Sequence, residues 1–272
     1  MTDHAIAPQR RGGIGPAIGG VGRAIWESYR RGGKAITLVP ALLAIAAIPE
    51  FAQHVAEIHL GMFASSDAFH AHGNDPLRWA FGYAKVAGFL IAILMTARYW
   101  AVGSIKQALL IRPMTLLRLV AAIAVSGILA WPFSWLGQQG VPMAVNLPFQ
   151  AVSLIIQAGI TIYMIGALLE DRSISPRRAF TSLLPASLIV TLLLVVTFAP
   201  AQGLHLANHK LAMGRPTAIV WALMTFDALW IGFFAGLVGS ALFVGYRTGL
   251  SWRGWTVHPA ELAKQTTSNP DH

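Results

Sequence analysis

Histidine pairs are the residues of this chain whose spacing best suits chemistry. His205 and His209 are one helical turn apart in HLANH, and His70 and His72 fall on one side of an extended segment in HAH. Imidazoles at either spacing can bind Zn, Cu or Ni. The sequence has no H-E-x-x-H pattern, which couples a zinc pair to a general base in metalloproteases. The histidines are therefore predicted to be solvated or interfacial side chains that become cationic at about pH 6, and the alternative is a metal-binding surface.

Asp227 is the one carboxylate in the apolar run VWALMTFDALWIGFF, residues 220–234. Ten helical residues rise about 15 Å, so a helix that enters a bilayer at residue 217 places this acid near the midplane. An ionisable group at that depth is costly and usually faces protein or water. The predicted partners are Lys85 and a stripe at four-residue spacing, Ser153, Gln157 and Thr161. Asp227 then either ties helices together or lines a proton- or cation-coupled path with Gln157 and Lys85.

The composition identifies the solvent in which these residues lie. Of 272 residues, 55% are hydrophobic and 11% are charged, and the mean hydropathy is +0.58, which is typical of a polytopic membrane protein. Cysteine is absent, which excludes disulfides, thiolate nucleophiles and iron–sulfur clusters. In a soluble protein the net charge of +9 would suggest nucleic acid, but in a membrane protein the distribution of the charge matters more than its sum. We expect no nucleic-acid partner.

The apolar segments predict an all-α bundle of six transmembrane helices, since each span needs about 20 mostly apolar residues. The first segment contains Pro40 and Pro49 and is expected to close at Glu50. The six segments are 35–52, 79–99, 116–136, 149–169, 181–200 and 217–245.

Lys and Arg orient the predicted bundle. Sixteen of the 20 basic residues flank one set of span ends, and only Arg78, Lys210 and Arg215 flank the other set. The positive-inside rule then places both termini in the cytoplasm. The predicted parts are a basic cytoplasmic segment 1–34, a membrane domain 35–245 and a cytoplasmic tail 246–272.

The N-terminal segment 1–34 is predicted to be an amphipathic helix on the anionic inner leaflet. Its apolar residues follow helical spacing, and arginines occupy the rest of the helix surface. The glycines of GGIGPAIGGVG lack the spacing and the βαβ context of a nucleotide loop. The alternative is an unstructured basic tail, because six glycines between residues 12 and 22 weaken a helix.

A small-residue series, Gly232, Gly236 and Ser240, follows Asp227 on another face of the sixth span. Such a face lets a second helix approach closely. The sixth span is therefore expected to be central in the monomer, or to dock a second copy or another membrane protein.

The stretch GALLEDRSISPRRAFTSLLPASLIVTLLL joins the fourth and fifth spans through an acidic pair, a basic pair and an apolar run. In this pattern and in its six spans the chain resembles uncharacterised six-span bacterial inner-membrane proteins related to the membrane domain of some glycerophosphodiester phosphodiesterases. The resemblance implies location and architecture only. The catalytic domain of those hydrolases is absent, so no catalytic residue is carried over.

These patterns favour a non-enzymatic structural, assembly or regulatory component of the membrane. No nucleophile elbow is present, and the acidic pair Glu170–Asp171 next to Arg172 is typical of a helix-end salt bridge. The alternatives are a transporter or lipid-handling protein that uses Asp227, and a metal-binding protein that uses the outer histidines. No cofactor is expected apart from such a metal.

Overall fold

A computed structural model of the chain describes residues 14–138, 143–171 and 174–255. Residues 1–13 of the predicted N-terminal segment, Arg172, and residues 256–272 of the predicted tail lie outside the described residues. A 3₁₀ turn, Met62–Ala64, separates α2 from α3. The helices are α1 Ile14–Leu38, α2 Pro40–His59, α3 Ser66–Ala71, α4 Pro76–Val102, α5 Ile105–Leu109, α6 Pro113–Gln138, α7 Met143–Leu168, α8 Pro176–Phe180, α9 Leu184–Ala212 and α10 Thr217–Ser251.

Six of these helices are long and apolar enough to cross a membrane: α2, α4, α6, α7, α9 and α10. The all-α fold and the six spans are confirmed for the described residues. The bounds of the first span were wrong, because α2 begins with Pro40 at its first turn and continues past Glu50 to His59. Gln53, His54 and Glu57 of this extension are buried in the bundle instead of facing lipid, so they do not end the span.

The last helix, α10, is the most buried of the six spans. Its small-residue face is covered within the chain: the position of a Cβ on Gly232 lies 3.1 Å from the carbonyl oxygen of Leu43, and that on Gly236 lies 2.8 Å from Leu43 Cδ2. Ser240 Oγ accepts a hydrogen bond of 2.8 Å from Trp100 Nε1. The sixth span is therefore central in the monomer, and this face needs no second chain.

A tighter approach occurs at Gly239, which the sequence analysis did not single out. A Cβ at this position would lie 2.5 Å from the carbonyl oxygen of Ile93 and 2.8 Å from Thr96 Cβ. We expect Gly239→Ala to destabilise the protein by about 1 to 3 kcal/mol, because the α4 backbone cannot move aside. Gly236→Ala is the matched control, since the Leu43 side chain can rotate away. The measurement is thermal unfolding in detergent. An equal loss of stability in the two variants would contradict the explanation by the α4 backbone.

The bundle has two ends of different charge. We call one the histidine end, formed by α3, the C-terminal ends of α2 and α9, and the N-terminal ends of α4 and α10. The other, which we call the basic end, contains α1, α5, α8, the C-terminal ends of α4, α7 and α10, and the N-terminal ends of α6 and α9. Among the described residues the basic end carries 12 Lys and Arg residues and three carboxylates. The histidine end carries four Lys and Arg residues and five carboxylates in the same described part of the chain.

Arg98 joins several segments at the basic end. Its side chain is fully buried and donates to the carbonyl oxygens of Gln107, Leu110 and Leu168 and to the carboxylate of Glu170. Glu170 adopts a left-handed backbone conformation, with φ 55°, and its other carboxylate oxygen lies 3.3 Å from Arg112 Nε. Among the described residues the partners of Glu170 are thus Arg98 and Arg112, and the predicted partner Arg172 lies outside them.

Candidate metal centre

Three helices bring a cluster of buried polar side chains together at the histidine end. The residues from α2 and those from α9 each repeat at helical spacing, so each group lies on one face of its helix. All of these residues are at least nine-tenths buried. The members are Glu50, His54 and Glu57 of α2, His205, Asn208 and His209 of α9, and Asp227 of α10.

Asp227 lies at the centre of the cluster. Its Oδ2 accepts hydrogen bonds from His205 Nδ1 at 2.6 Å and from His54 Nε2 at 3.1 Å. Its Oδ1 accepts a hydrogen bond of 2.7 Å from Asn208 Nδ2. The acid therefore links α10 to both α2 and α9, and all three contacts involve a side chain aimed at its carboxylate.

His54 has carboxylate oxygens at both ring nitrogens. Nδ1 lies 3.1 Å from Glu57 Oε2, and Nε2 lies 3.2 Å from Glu50 Oε1 as well as next to Asp227. A carboxylate can only accept, so both contacts are satisfied when the ring carries two protons or when another cation takes the place of one of them.

Two cations from α4 flank the cluster. Lys85 Nζ donates to Glu50 Oε1 at 2.8 Å, and Arg78 Nε donates to Glu57 Oε1 at 3.0 Å. Their two positive charges balance two of the three carboxylates, and the charge of Asp227 is left for a protonated histidine or a metal ion. Because an unbalanced charge is expensive in a buried site, this charge is balanced by one of these two or removed by a proton on a carboxyl group of the cluster.

Two atoms in the cluster lack hydrogen-bond partners within the described part of the chain: Glu50 Oε2 and His209 Nε2. A carboxylate oxygen of Asp227 lies 3.7 Å from His209 Nε2, beyond hydrogen-bond distance. Glu50, His205, His209 and Asp227 offer one ligand atom each, all within 4.8 Å of one another. His54, Glu57 and His209 form a second, three-membered group by the same measure. The donor types suit a metal ion, and the two atoms without partners belong to Glu50 and His209, two residues of the first group.

An apolar cap covers the cluster at the histidine end. Its buried residues, with Phe69 packed against them, are Phe63, Ala212, Val220 and Met224. The rings of Phe63 and Phe69 lie 5.8 Å and 6.0 Å from the His209 ring. The backbone N–H of Gly214, between α9 and α10, donates to the carbonyl oxygen of Phe63 at 2.8 Å. This cap keeps water from the carboxylates, which strengthens every charge interaction within the cluster.

The structure separates the partners predicted for Asp227. Lys85 belongs to the network, but it pairs with Glu50 and not with Asp227. Gln157 donates to the carbonyl oxygen of Ser126 on α6 at 3.1 Å, and Thr161 donates to Gln157 on the same helix. Ser153 lies on this α7 stripe as well, and Gln157 is the member of the stripe that binds α6. The predicted polar path through Asp227, Gln157 and Lys85 is not assembled.

The two predicted histidine pairs have different outcomes. His205 and His209 both reach Asp227, and their rings lie 4.7 Å apart. His70 lies in the short helix α3 and His72 follows it, so HAH is not extended, and neither residue belongs to a ligand group found among the described residues. The extended conformation predicted for HAH was wrong because a serine cap starts a helix there, with Ser65 Oγ accepting from Ala68 N–H.

The sequence reasoning missed Glu50, His54, Glu57 and Asn208 as members of the site. The spacing of the α2 residues, Glu50-x₃-His54-x₂-Glu57, places all three on one helix face and could have indicated the cluster. This signal was overlooked because Glu50 was assigned to the end of a span and the next residues to a loop.

The fold and the buried cluster define a multi-pass α-helical membrane protein. No family model, curated protein or solved structure matches the chain. The resemblance to the membrane domains of phosphodiesterases therefore stays a prediction, and the function is argued from the cluster alone.

Proposed function

We propose that this protein is a non-enzymatic inner-membrane component that holds a divalent transition-metal ion in its histidine end. The ligands are Glu50, His205, His209 and Asp227. The observation that carries the proposal is the convergence of these four buried donors within 4.8 Å, with Glu50 Oε2 and His209 Nε2 lacking hydrogen-bond partners among the described residues.

The donor set favours Zn²⁺, Mn²⁺ or Fe²⁺, because histidine nitrogen and carboxylate oxygen are ligands that these ions share. Donor atoms of a tetrahedral zinc site are about 3.4 Å apart at metal–ligand distances of about 2.1 Å, so a small inward movement would close the shell. A dication would also supply the positive charge that the cluster lacks.

A structural role is favoured over catalysis by the closed surroundings of the site. Structural metal sites use four protein ligands, whereas catalytic sites keep a position open for water or substrate. Here four donors come from three different helices and an apolar cap lies over them. A bound ion would tie α2, α9 and α10 together, which is the assembly role expected from the sequence.

We assign the basic end to the cytoplasm. Its excess of Lys and Arg among the described residues supports this orientation through the positive-inside rule. The histidine end and its metal centre then lie towards the outer face of a bacterial inner membrane.

Metal analysis of the protein, purified in detergent without a His-tag, tests the proposal. We expect about one transition-metal ion per chain, and loss of that ion in His209→Phe. The phenylalanine should fit beside Phe63 and Phe69, so the variant should fold and should even remove a polar atom that has no partner. His59→Gln is the matched control, because this exposed histidine lies at the same end outside the ligand groups.

Two results would overturn the proposal. One is wild-type protein without bound metal after supplementation with Zn²⁺, Mn²⁺ and Fe²⁺. The other is His209→Phe with the same metal content as wild type. After either result, the cluster would be interpreted as a buried network of ion pairs and hydrogen bonds without a metal.

A further inference from the structure

The first helix, α1, has two opposite faces that differ sharply in character. One face packs against α10 and α9: a Cβ on Gly32 would lie 3.0 Å from Leu237 Cα, and Tyr29 Oη donates to the carbonyl oxygen of Val196 at 2.6 Å. The opposite face is exposed, and its residues repeat at intervals of three and four. This face, which we call the α1 stripe, consists of Arg23, Trp26, Arg30 and Lys34.

The α1 stripe carries cations without acids. Its four residues fall within about 80° of the helix circumference at 100° per residue. Trp26 is 67% exposed, and the three basic side chains have no hydrogen bond or ion pair within the described part of the chain. Three free cations around an exposed indole ring therefore face away from the bundle.

The single acid of α1, Glu27, does not neutralise the stripe. Its carboxylate binds Arg31 Nε at 2.8 Å and Arg247 Nη2 at 2.5 Å on the side of α10. Burial acts to raise the pKa of Glu27, but the hydrogen bonds and charges of the two arginines outweigh burial and hold this pKa below its ordinary value. Glu27 is thus anionic and committed to two other cations.

The position of α1 relative to the spans places the stripe at the level of lipid headgroups. Leu237 follows the start of α10 at Thr217 by twenty residues, which is about 30 Å of helix and the thickness of a hydrocarbon core. The contact of Gly32 with Leu237 therefore lies near the far edge of that core, and α1 runs outward from there to Glu27 and Arg247.

The geometry points to a binding site for anionic phospholipid on the α1 stripe, in the leaflet at the basic end. Arg23, Arg30 and Lys34 bind the phosphates, and the indole ring of Trp26 lies between them among the headgroups. This site is distinct from the metal centre, which lies at the other end of the bundle. Its failure and the failure of the metal proposal are independent of each other.

A lipid titration tests this site on the full chain in an uncharged detergent. Short-chain phosphatidylglycerol should raise the unfolding temperature of the wild type, and phosphatidylcholine of the same chain length should not. Each basic side chain near an anionic surface contributes about 1 kcal/mol, so Arg23→Gln/Arg30→Gln/Lys34→Gln should weaken the apparent affinity for phosphatidylglycerol by about a hundredfold. Without lipid this variant should unfold at the wild-type temperature, because the exchanged side chains have no partners.

Two further variants serve as controls. Arg23→Lys/Arg30→Lys keeps the charge and should keep the lipid effect, whereas Lys210→Gln/Arg215→Gln removes exposed cations at the histidine end and should leave it unchanged. The site is overturned if phosphatidylcholine acts as strongly as phosphatidylglycerol, or if the triple variant responds like wild type. If inorganic phosphate raised the unfolding temperature as much as phosphatidylglycerol does, the stripe would be a site for free anions and the lipid site would be overturned.

Discussion

Replacement of Asp227 with asparagine is expected to lower the affinity of the protein for its metal by about a hundredfold to a thousandfold. The carboxylate is one of four proposed ligands, and structural zinc sites with four ligands bind with about 10 to 16 kcal/mol in total, so one ligand accounts for about 3 to 4 kcal/mol. The amide that replaces it is neutral, and the charge that requires a cation disappears with the acid.

The same substitution should strongly reduce the metal dependence of stability. A ligand at a thousand times its Kd stabilises a folded protein by about 4 kcal/mol, so unfolding of the wild type in detergent should differ clearly between metal-loaded and chelated samples. At the same metal concentration Asp227→Asn should keep only about 0.4 to 1.4 kcal/mol of this stabilisation, so its unfolding temperatures in the two samples should lie much closer together. Asp67→Asn, at an exposed position in α3, is the matched control and should behave like wild type.

The outcome separates the two accounts of the acid. If metal raises the unfolding temperature of Asp227→Asn as much as that of the wild type, Asp227 is not a ligand. If chelation leaves the wild type unchanged, the hydrogen bonds from His54, His205 and Asn208 hold the acid without a metal. In that case the variant would be equally destabilised under both conditions.

The spans were predictable because hydropathy depends on each segment alone. Asp227 was recognised as important for the same reason, since a lone acid in an apolar run needs no alignment of helices to stand out. Its partners were not predictable in this way. Which helix faces α10 depends on packing, and the short contacts of Gly232 and Gly239 with α2 and α4 decide it.

The error at α2 has a clear physical origin. Hydropathy treats Glu50, His54 and Glu57 as exposed to lipid or water, and by that measure the span ends before them. In the folded chain Lys85 and Arg78 neutralise the two acids, and the helix continues through the polar face. The cost of a buried charge is set by its neighbours, which a single segment does not contain.

Replacement of Arg98 with methionine is expected to destabilise the protein by about 3 to 5 kcal/mol, the usual result of removing one partner from a buried ionic contact. Methionine has a similar length but cannot donate. The carbonyl oxygens of Gln107, Leu110 and Leu168 would lose a donor in a region where the guanidinium is fully buried. These carbonyls belong to the segments that follow α4 and to the end of α7, so both connections should loosen together.

Two controls distinguish the guanidinium geometry from its charge. Arg98→Lys keeps the charge but cannot reach several acceptors at once, so it should recover only part of the lost stability. Arg118→Met removes an exposed cation of α6 at the same end and should change the unfolding temperature little. If Arg98→Lys were as stable as wild type, the charge alone would account for the role of Arg98.

A double substitution then measures the contact with Glu170. Arg98→Met leaves Arg112, at 3.3 Å, as the cation beside the Glu170 carboxylate among the described residues, and Arg112 is more exposed than Arg98. Adding Glu170→Gln to Arg98→Met should therefore cost less stability than Glu170→Gln costs in the wild type. Equal costs in both backgrounds would show that the two side chains are energetically independent, and that the carbonyl contacts carry the whole effect of Arg98.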